Sequence, residues 1–293
     1  MALWLGAAAL LLAALAISYW GAGLLLHPPF MSPMAVFPER FGAAYEKVSL
    51  RAADGHSLAG WFMPAPAGRA GTVVLCHGWG DNKGELLERT LFLNRDAGFS
   101  LLYFDFRGHG ESAPSQVTMG KLELLDLAAA LAWAKARGGR LGLYGLSMGA
   151  SVAAMALRDH PEVGAAVLES PFAGFREVGK RWAWLHYRAP YFPLVWLLMR
   201  WARLRSGHGD IDSYSPEDFI GAATAPVLFI AAGGDRLMPP EDVRRLYAKA
   251  GGDKEFWVVP GAAHAKCREA AGAEFDARVA GFFLARLTEA PGS

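Results

Sequence analysis

Cysteine is scarce in this chain: Cys76 and Cys267 are the only two among 293 residues. Two cannot build a disulfide framework, so an apolar core must hold the fold; two free thiols are the favoured reading and a single bridge the alternative. An excess of charge of either sign is also missing. The net charge is +1 and no acidic or basic tail stands out, which leaves no global electrostatic case for nucleic acid. The eight histidines are scattered and lack the His/Cys spacing of a metal site. No internal repeat is visible. What the chain has is apolar residues, 53% of the total, enough for a large core and too many for disorder.

Residues 3–26 carry no charge, and twenty-four such residues can cross a bilayer as a helix. Trp4, Tyr19 and Trp20 suit the headgroup region. A cleaved signal peptide is the competing reading. It is disfavoured because no Lys or Arg precedes the run and the run exceeds an ordinary signal core. We expect an uncleaved single-pass anchor over residues 1–27. The first cations, Arg40 and Lys47, follow the span, which favours a cytoplasmic catalytic domain. Residues 28–43, with Pro28, Pro29, Pro33 and Pro38, read as a linker.

Beyond the linker, strands and helices alternate. Two extended segments, 45–50 and 58–63, are joined through a turn at Ala53-Asp54-Gly55. Apolar strands then fall at 72–76, 99–104, 141–144, 165–169, 227–232 and 255–259. Helices fall at 85–97, 121–137, 148–159, 240–250 and 274–287. Near-continuous apolar strands separated by helices predict an α/β fold, a mostly parallel sheet covered on both faces. Residues 172–220 break the alternation and read as an aromatic-rich insertion.

The polar residues that stand out lie at the carboxyl ends of strands, where such sheets hold ligands. Gly145-Leu146-Ser147-Met148-Gly149 joins a strand to a helix, the setting in which a sharp turn lifts a serine clear of the backbone. A serine hydroxyl needs a base, and His264, in Gly261-Ala262-Ala263-His264, is the candidate. Asp235 would orient it, with Glu169 as the rival acid. The order Ser, Asp, His along the chain accompanies this kind of elbow. Backbone N–H groups of Met148, at a helix start, and Trp79, in His77-Gly78-Trp79-Gly80, are the candidate oxyanion donors. His77 reads as a structural residue that orders its loop. Asp105 to Ser112 reads as a tight loop held by an Asp105–Arg107 pair. A phosphate cradle is the alternative, disfavoured because no Gly-Lys-Ser/Thr follows it.

Together these motifs resemble the α/β-hydrolase superfamily over residues 45–287, and in particular its serine-aminopeptidase-like and membrane-anchored ABHD-type branch. They are His77-Gly78-Trp79-Gly80, Asp105-x-Arg107-Gly108-x-Gly110-x-Ser112, Gly145-x-Ser147-x-Gly149, Gly234-Asp235 with Met238-Pro239, and Pro260-Gly261-x-x-His264. One departure is Ala231-Ala232-Gly233-Gly234 before Asp235, where relatives often carry His-Gly. The resemblance implies an α/β-hydrolase domain over residues 44–290 with the insertion at about 172–220 as a cap. It also implies a Ser147–His264–Asp235 triad, an acyl-enzyme route and no cofactor. It names no substrate.

Residues 175–208 hold eight aromatics and seven cations against one acid, a net +6. This basic, aromatic cap suits either a lid over the site or a contact with a membrane surface. No nucleic-acid module is present in it. The expected function is a membrane-anchored hydrolase of an ester, thioester or acyl-lipid substrate. A peptidase or amidase with the same triad, and a catalytically idle interaction module, are the alternatives.

Overall fold

The computed structural model of the protein describes residues 1–28, 32–66 and 71–288. Residues 29–31 of the expected linker and residues 67–70 and 289–290 of the expected domain lie outside them.

Eight strands form one sheet: β1 Glu46–Arg51, β2 Ser57–Met63, β3 Thr72–Cys76, β4 Ser100–Phe104, β5 Leu141–Leu146, β6 Val163–Glu169, β7 Val227–Ala232 and β8 Lys254–Val259. Their order is β1-β2-β4-β3-β5-β6-β7-β8. The hairpin of β1 and β2 is antiparallel, β2 is antiparallel to β4, and every later pairing is parallel. The reason is in the strand sequences. In the apolar β3, every side chain is buried: Val74 and Cys76 enter the core on one face, and Val73 and Leu75 the core on the other. A strand buried on both faces needs helices on both sides of it.

The helices supply that cover. They are α1 Ala2–Leu26, α2 Glu123–Lys135, α3 Met148–Ala156, α4 Phe175–Tyr187, α5 Trp196–Ser206, α6 Pro240–Lys249 and α7 Ala273–Leu287. Leu127 and Leu131 of α2 and Val152 of α3 line one core; Phe275, Val279 and Phe283 of α7 line the other. The expected helix over 85–97 is present in short helical pieces, Lys83–Leu86, Leu87–Thr90 and Phe92–Arg95, with the Leu91 N–H donating to the Leu87 carbonyl and the Arg95 N–H to the Leu91 carbonyl, each at 3.0 Å. Side chains there compete for the backbone: Thr90 Oγ1 donates to the Leu86 carbonyl at 2.7 Å, and Asn94 Nδ2 to the Phe99 carbonyl at 2.8 Å. Between β6 and β7 stand α4 and α5, separated by an irregular turn at Tyr191–Val195.

By length and composition α1 could cross a membrane, and a signal sequence would pass the same test. Its N-terminal half is exposed, but Ser18, Ala22 and Leu26, one turn apart, are buried against α5 and the domain. Tyr19 meets Trp201 edge to face at 5.5 Å. Arg205 Nη1 donates to the Tyr19 carbonyl at 2.7 Å, and its guanidinium lies over the Tyr19 ring. The Val117 N–H donates to the Leu26 carbonyl at 2.8 Å. The proline-rich segment is equally engaged, since Phe37 and Tyr45 set their rings against the buried Trp61.

Candidate active site

Ser147 sits between β5 and α3 with φ 55° and ψ −115°. A side chain that is not glycine is strained there, and the strain lifts Oγ above the sheet edge. Its N–H is held by the Glu169 carbonyl at 2.9 Å. The two glycines of the elbow are needed for space. A Cβ at Gly145 would stand 2.5 Å from the Ala150 Cα, and one at Gly149 would collide with the Cys76 carbonyl.

The loops after β7 and β8 bring two more polar residues to this point. Ser147 Oγ lies 3.0 Å from His264 Nε2, and His264 Nδ1 lies 2.6 Å from Asp235 Oδ2. The Asp235 side chain is fully buried. Its other oxygen accepts the N–H groups of Leu237 and Met238, each at 2.8 Å. A carboxylate so held keeps the proton of a neutral imidazole on Nδ1, which turns the Nε2 lone pair toward Ser147. Ser147 itself is nearly buried, 9% exposed.

Of the two expected oxyanion donors, Met148 follows Ser147 directly, and Trp79 follows Gly78, where a Cβ would stand 3.6 Å from the Ser147 Cβ. Met148 opens α3, where an N–H has no partner within its own helix. The Trp79 N–H takes part in no backbone hydrogen bond recorded among the described residues. Its loop is fixed by two buried histidines. His77 Nδ1 donates to the Gly78 carbonyl at 2.7 Å and its Nε2 accepts the Phe106 N–H at 3.0 Å. His109 Nε2 accepts the Gly80 N–H at 3.2 Å and its Nδ1 donates to the Arg107 carbonyl. Burial pushes His77 well below the ordinary histidine range and lowers His109 too, so both stay neutral and keep these tautomers. His77 therefore orders its loop, as its sequence position suggested.

Glu169 is not beside His264. It is buried one strand away, where it accepts from the Tyr144 hydroxyl at 2.5 Å and the Cys267 N–H at 3.2 Å. Burial raises the Tyr144 hydroxyl well above its usual range, so Tyr144 is the donor in that pair. The expected Asp105–Arg107 pair is also replaced by others. Asp105 takes the ammonium of Lys83 at 2.6 Å and the Lys83 and Glu111 N–H groups at 2.7 and 2.8 Å. Arg107 grips Asp126 of α2 and reaches Asp54 in the β1–β2 turn at 2.7 Å. Asp105 and Arg107 are separated because each faces a different buried partner of opposite charge. An acid within the apolar Leu124–Ala130 stretch, Asp126, was the available signal; Lys83, in a polar loop, gave none.

Cys76 and Cys267 are both buried and unbridged, and burial raises both thiols. Among the described residues no three His, Cys, Asp or Glu side chains gather as a metal site. The inserted helices reach the rim: Trp182 meets Trp79 edge to face at 6.4 Å, and Arg181 pairs with Asp242 of α6.

With this geometry the chain is similar to several known proteins. Residues 67–214 match the family described as serine aminopeptidase, S33. An uncharacterized Mycobacterium tuberculosis protein, Rv2307c, is 33% identical over 241 residues, 80% of this chain and 76% of its own length. The uncharacterized Bacillus subtilis protein YqkD is 32% identical over 219 residues, 73% of this chain and 70% of its own. The solved Pyrococcus furiosus esterase Pf2001 superposes with a TM-score of 0.75 at 27% identity, covering 90% of this chain and 98% of that one. Its sheet order, its elbow and these matches make the chain a member of the α/β-hydrolase superfamily, with an esterase-like hydrolase fold.

Proposed function

We propose that this chain is a membrane-attached serine hydrolase that cleaves an ester, thioester or acyl-lipid bond. The observation that carries the reading is the line Ser147 Oγ, His264, Asp235, with spacings of 3.0 and 2.6 Å, on a strained elbow. His264 Nε2 takes the Ser147 proton as Oγ attacks the acyl carbonyl, and Asp235 stabilises the imidazolium that forms. The Trp79 and Met148 N–H groups receive the negative oxygen of the tetrahedral intermediate. His264 then returns its proton to the leaving oxygen or sulfur, and an acyl group remains on Ser147. A water activated by the same imidazole releases the acid.

Ester chemistry is favoured by the likeness to the Pf2001 esterase. Amide chemistry is the second reading, favoured by the match to the serine aminopeptidase family. The helical insertion acts as the cap over Trp79, and α1 as the attachment to the bilayer. The test is a fluorophosphonate probe on the folded full-length chain, followed by p-nitrophenyl esters of several chain lengths against aminoacyl amides. Labelling at Ser147 with turnover of the esters is expected. Absence of labelling would favour an idle interaction module, and faster amide turnover would favour the peptidase.

A further inference from the structure

The segment after α1 reaches into the loop that carries Trp79. Ser32 N–H donates to the Gly80 carbonyl at 2.7 Å. Ser32 Oγ donates to Asp81 Oδ1 at 3.3 Å, and Asn82 Nδ2 donates back to the Ser32 carbonyl at 2.9 Å. Three hydrogen bonds thus tie one residue of the proline-rich strap to three consecutive residues of the loop.

Peptide planarity gives these bonds a consequence. In a trans peptide the C=O and the following N–H point in opposite directions and move together. Ser32 fixes the Gly80 carbonyl, which fixes the Asp81 N–H. That N–H donates to the Gly78 carbonyl at 3.3 Å, where His77 Nδ1 also donates. The Gly78 carbonyl in turn fixes the Trp79 N–H. The relay therefore runs Ser32, peptide 80–81, peptide 78–79, Trp79 N–H. Burial raises the Asp81 carboxyl, and Ser32 Oγ is its hydrogen-bonding neighbour from the strap.

We propose that Ser32 is a positioning residue for the oxyanion hole. The strap that follows α1 aims the Trp79 N–H at the developing oxyanion, so the segment reads as part of the active-site architecture as well as a tether. This rests on the reading of Trp79 as an oxyanion donor, and it acts on the transition state rather than on substrate binding.

The test uses the full-length chain. Ser32→Pro removes the N–H, and Ser32→Ala keeps it while removing only the hydroxyl. Loss of a whole oxyanion donor costs about 10²–10³ in kcat, so a misaimed one should cost about tenfold or more. For Ser32→Pro we expect that loss in kcat with KM within about twofold. Affinity for a boronic acid, which mimics the tetrahedral adduct, should fall in parallel, while affinity for the product acid holds. Ser32→Ala should lose less than about threefold, on the same argument. Asn82→Asp is the second variant. It repels the Ser32 carbonyl but keeps the oxygen that caps the Gly84 N–H, so the turn still forms. It should show the same pattern as Ser32→Pro in protein with an unchanged melting curve. Wild-type kcat in folded Ser32→Pro or folded Asn82→Asp, or a loss of kcat in either without loss of boronate affinity, overturns the proposal. Ser147→Ala separates it from the reaction itself: turnover by that variant defeats the triad reading whatever Ser32 does.

Discussion

At the scale of single residues, two carboxylates compete for the same role and the geometry divides them. Asp235 touches His264, whereas Glu169 bonds a tyrosine and a backbone N–H in the core. Asp235→Asn should cost kcat on the order of 10⁴-fold, because the amide holds the wrong imidazole tautomer. Glu169→Gln should lower the melting temperature and leave kcat within about threefold, since it disturbs a buried hydrogen bond remote from the base. Steady-state kinetics and melting curves on both proteins check the pair, and the reverse ranking would move the acid. Ser147→Ala should lose about 10⁴- to 10⁶-fold in ester turnover while keeping its fold. Lys83 makes a different kind of prediction. Its ammonium and the Asp105 carboxylate are both fully buried at 2.6 Å, and burial raises the Asp105 pKa despite that partner. Lys83→Met would leave Asp105 charged and unpaired, which should cost about 3–5 kcal/mol in denaturant unfolding.

Among the elements, α1 behaves differently from a free anchor. One face of its C-terminal half is inside the protein, and Arg205 of α5 holds one of its carbonyls. Removing residues 1–27 deletes Ala22 and Leu26 from the core and uncovers Trp201. Full burial of a leucine side chain such as Leu26 is worth about 1.5–3 kcal/mol, so the truncated protein should melt lower than the full chain. It should still hydrolyse a short soluble ester, because Ser147, Asp235, His264 and Ser32 all lie beyond the cut. Calorimetry and an ester assay on the two forms decide this; an inactive, folded truncation would make α1 itself part of the site. The sheet strands were legible in the sequence to within two residues at each end, because most are short apolar runs and β1 is marked by the turn that follows it. The helix at 85–97 was legible in place, but its division into short pieces about Leu91 was not.

For the whole molecule, the basic excess of residues 175–208 resolves into separate tasks. Arg176 and Arg181 are paired with Asp212 and Asp242. Lys180 lies over the Tyr191 ring, Arg188 over Trp184, and Arg205 is spent on α1. Arg200 and Arg203 remain exposed on α5, on the helix face of the exposed Trp196 and Leu204, with the exposed Phe192 ring 6.0 Å from that of Trp196. An apolar surface with basic residues fits the headgroup layer of an anionic bilayer. Each such cation is worth about 1 kcal/mol near the lipid, less at high salt. The truncated protein should therefore sediment with anionic vesicles more than with neutral ones, and Arg200→Gln with Arg203→Gln should reduce that preference while ester turnover persists. Neutralising Arg205 should instead loosen α1 in the full chain. Equal binding to both vesicle types would leave the surface as a lid alone.

The sequence by itself determined the class of fold, the elbow serine and the order of its partners, because these depend on local signals: apolar period, glycine placement and strand ends. Only the tertiary structure decided which acid meets His264, that Asp105 and Arg107 turn to Lys83 and Asp126, and that Ser32 and α1 are built into the domain. These are pairings between residues far apart along the chain. Their partners are chosen by burial, which forces each charge and each backbone donor to find whatever complement the packed sheet brings near.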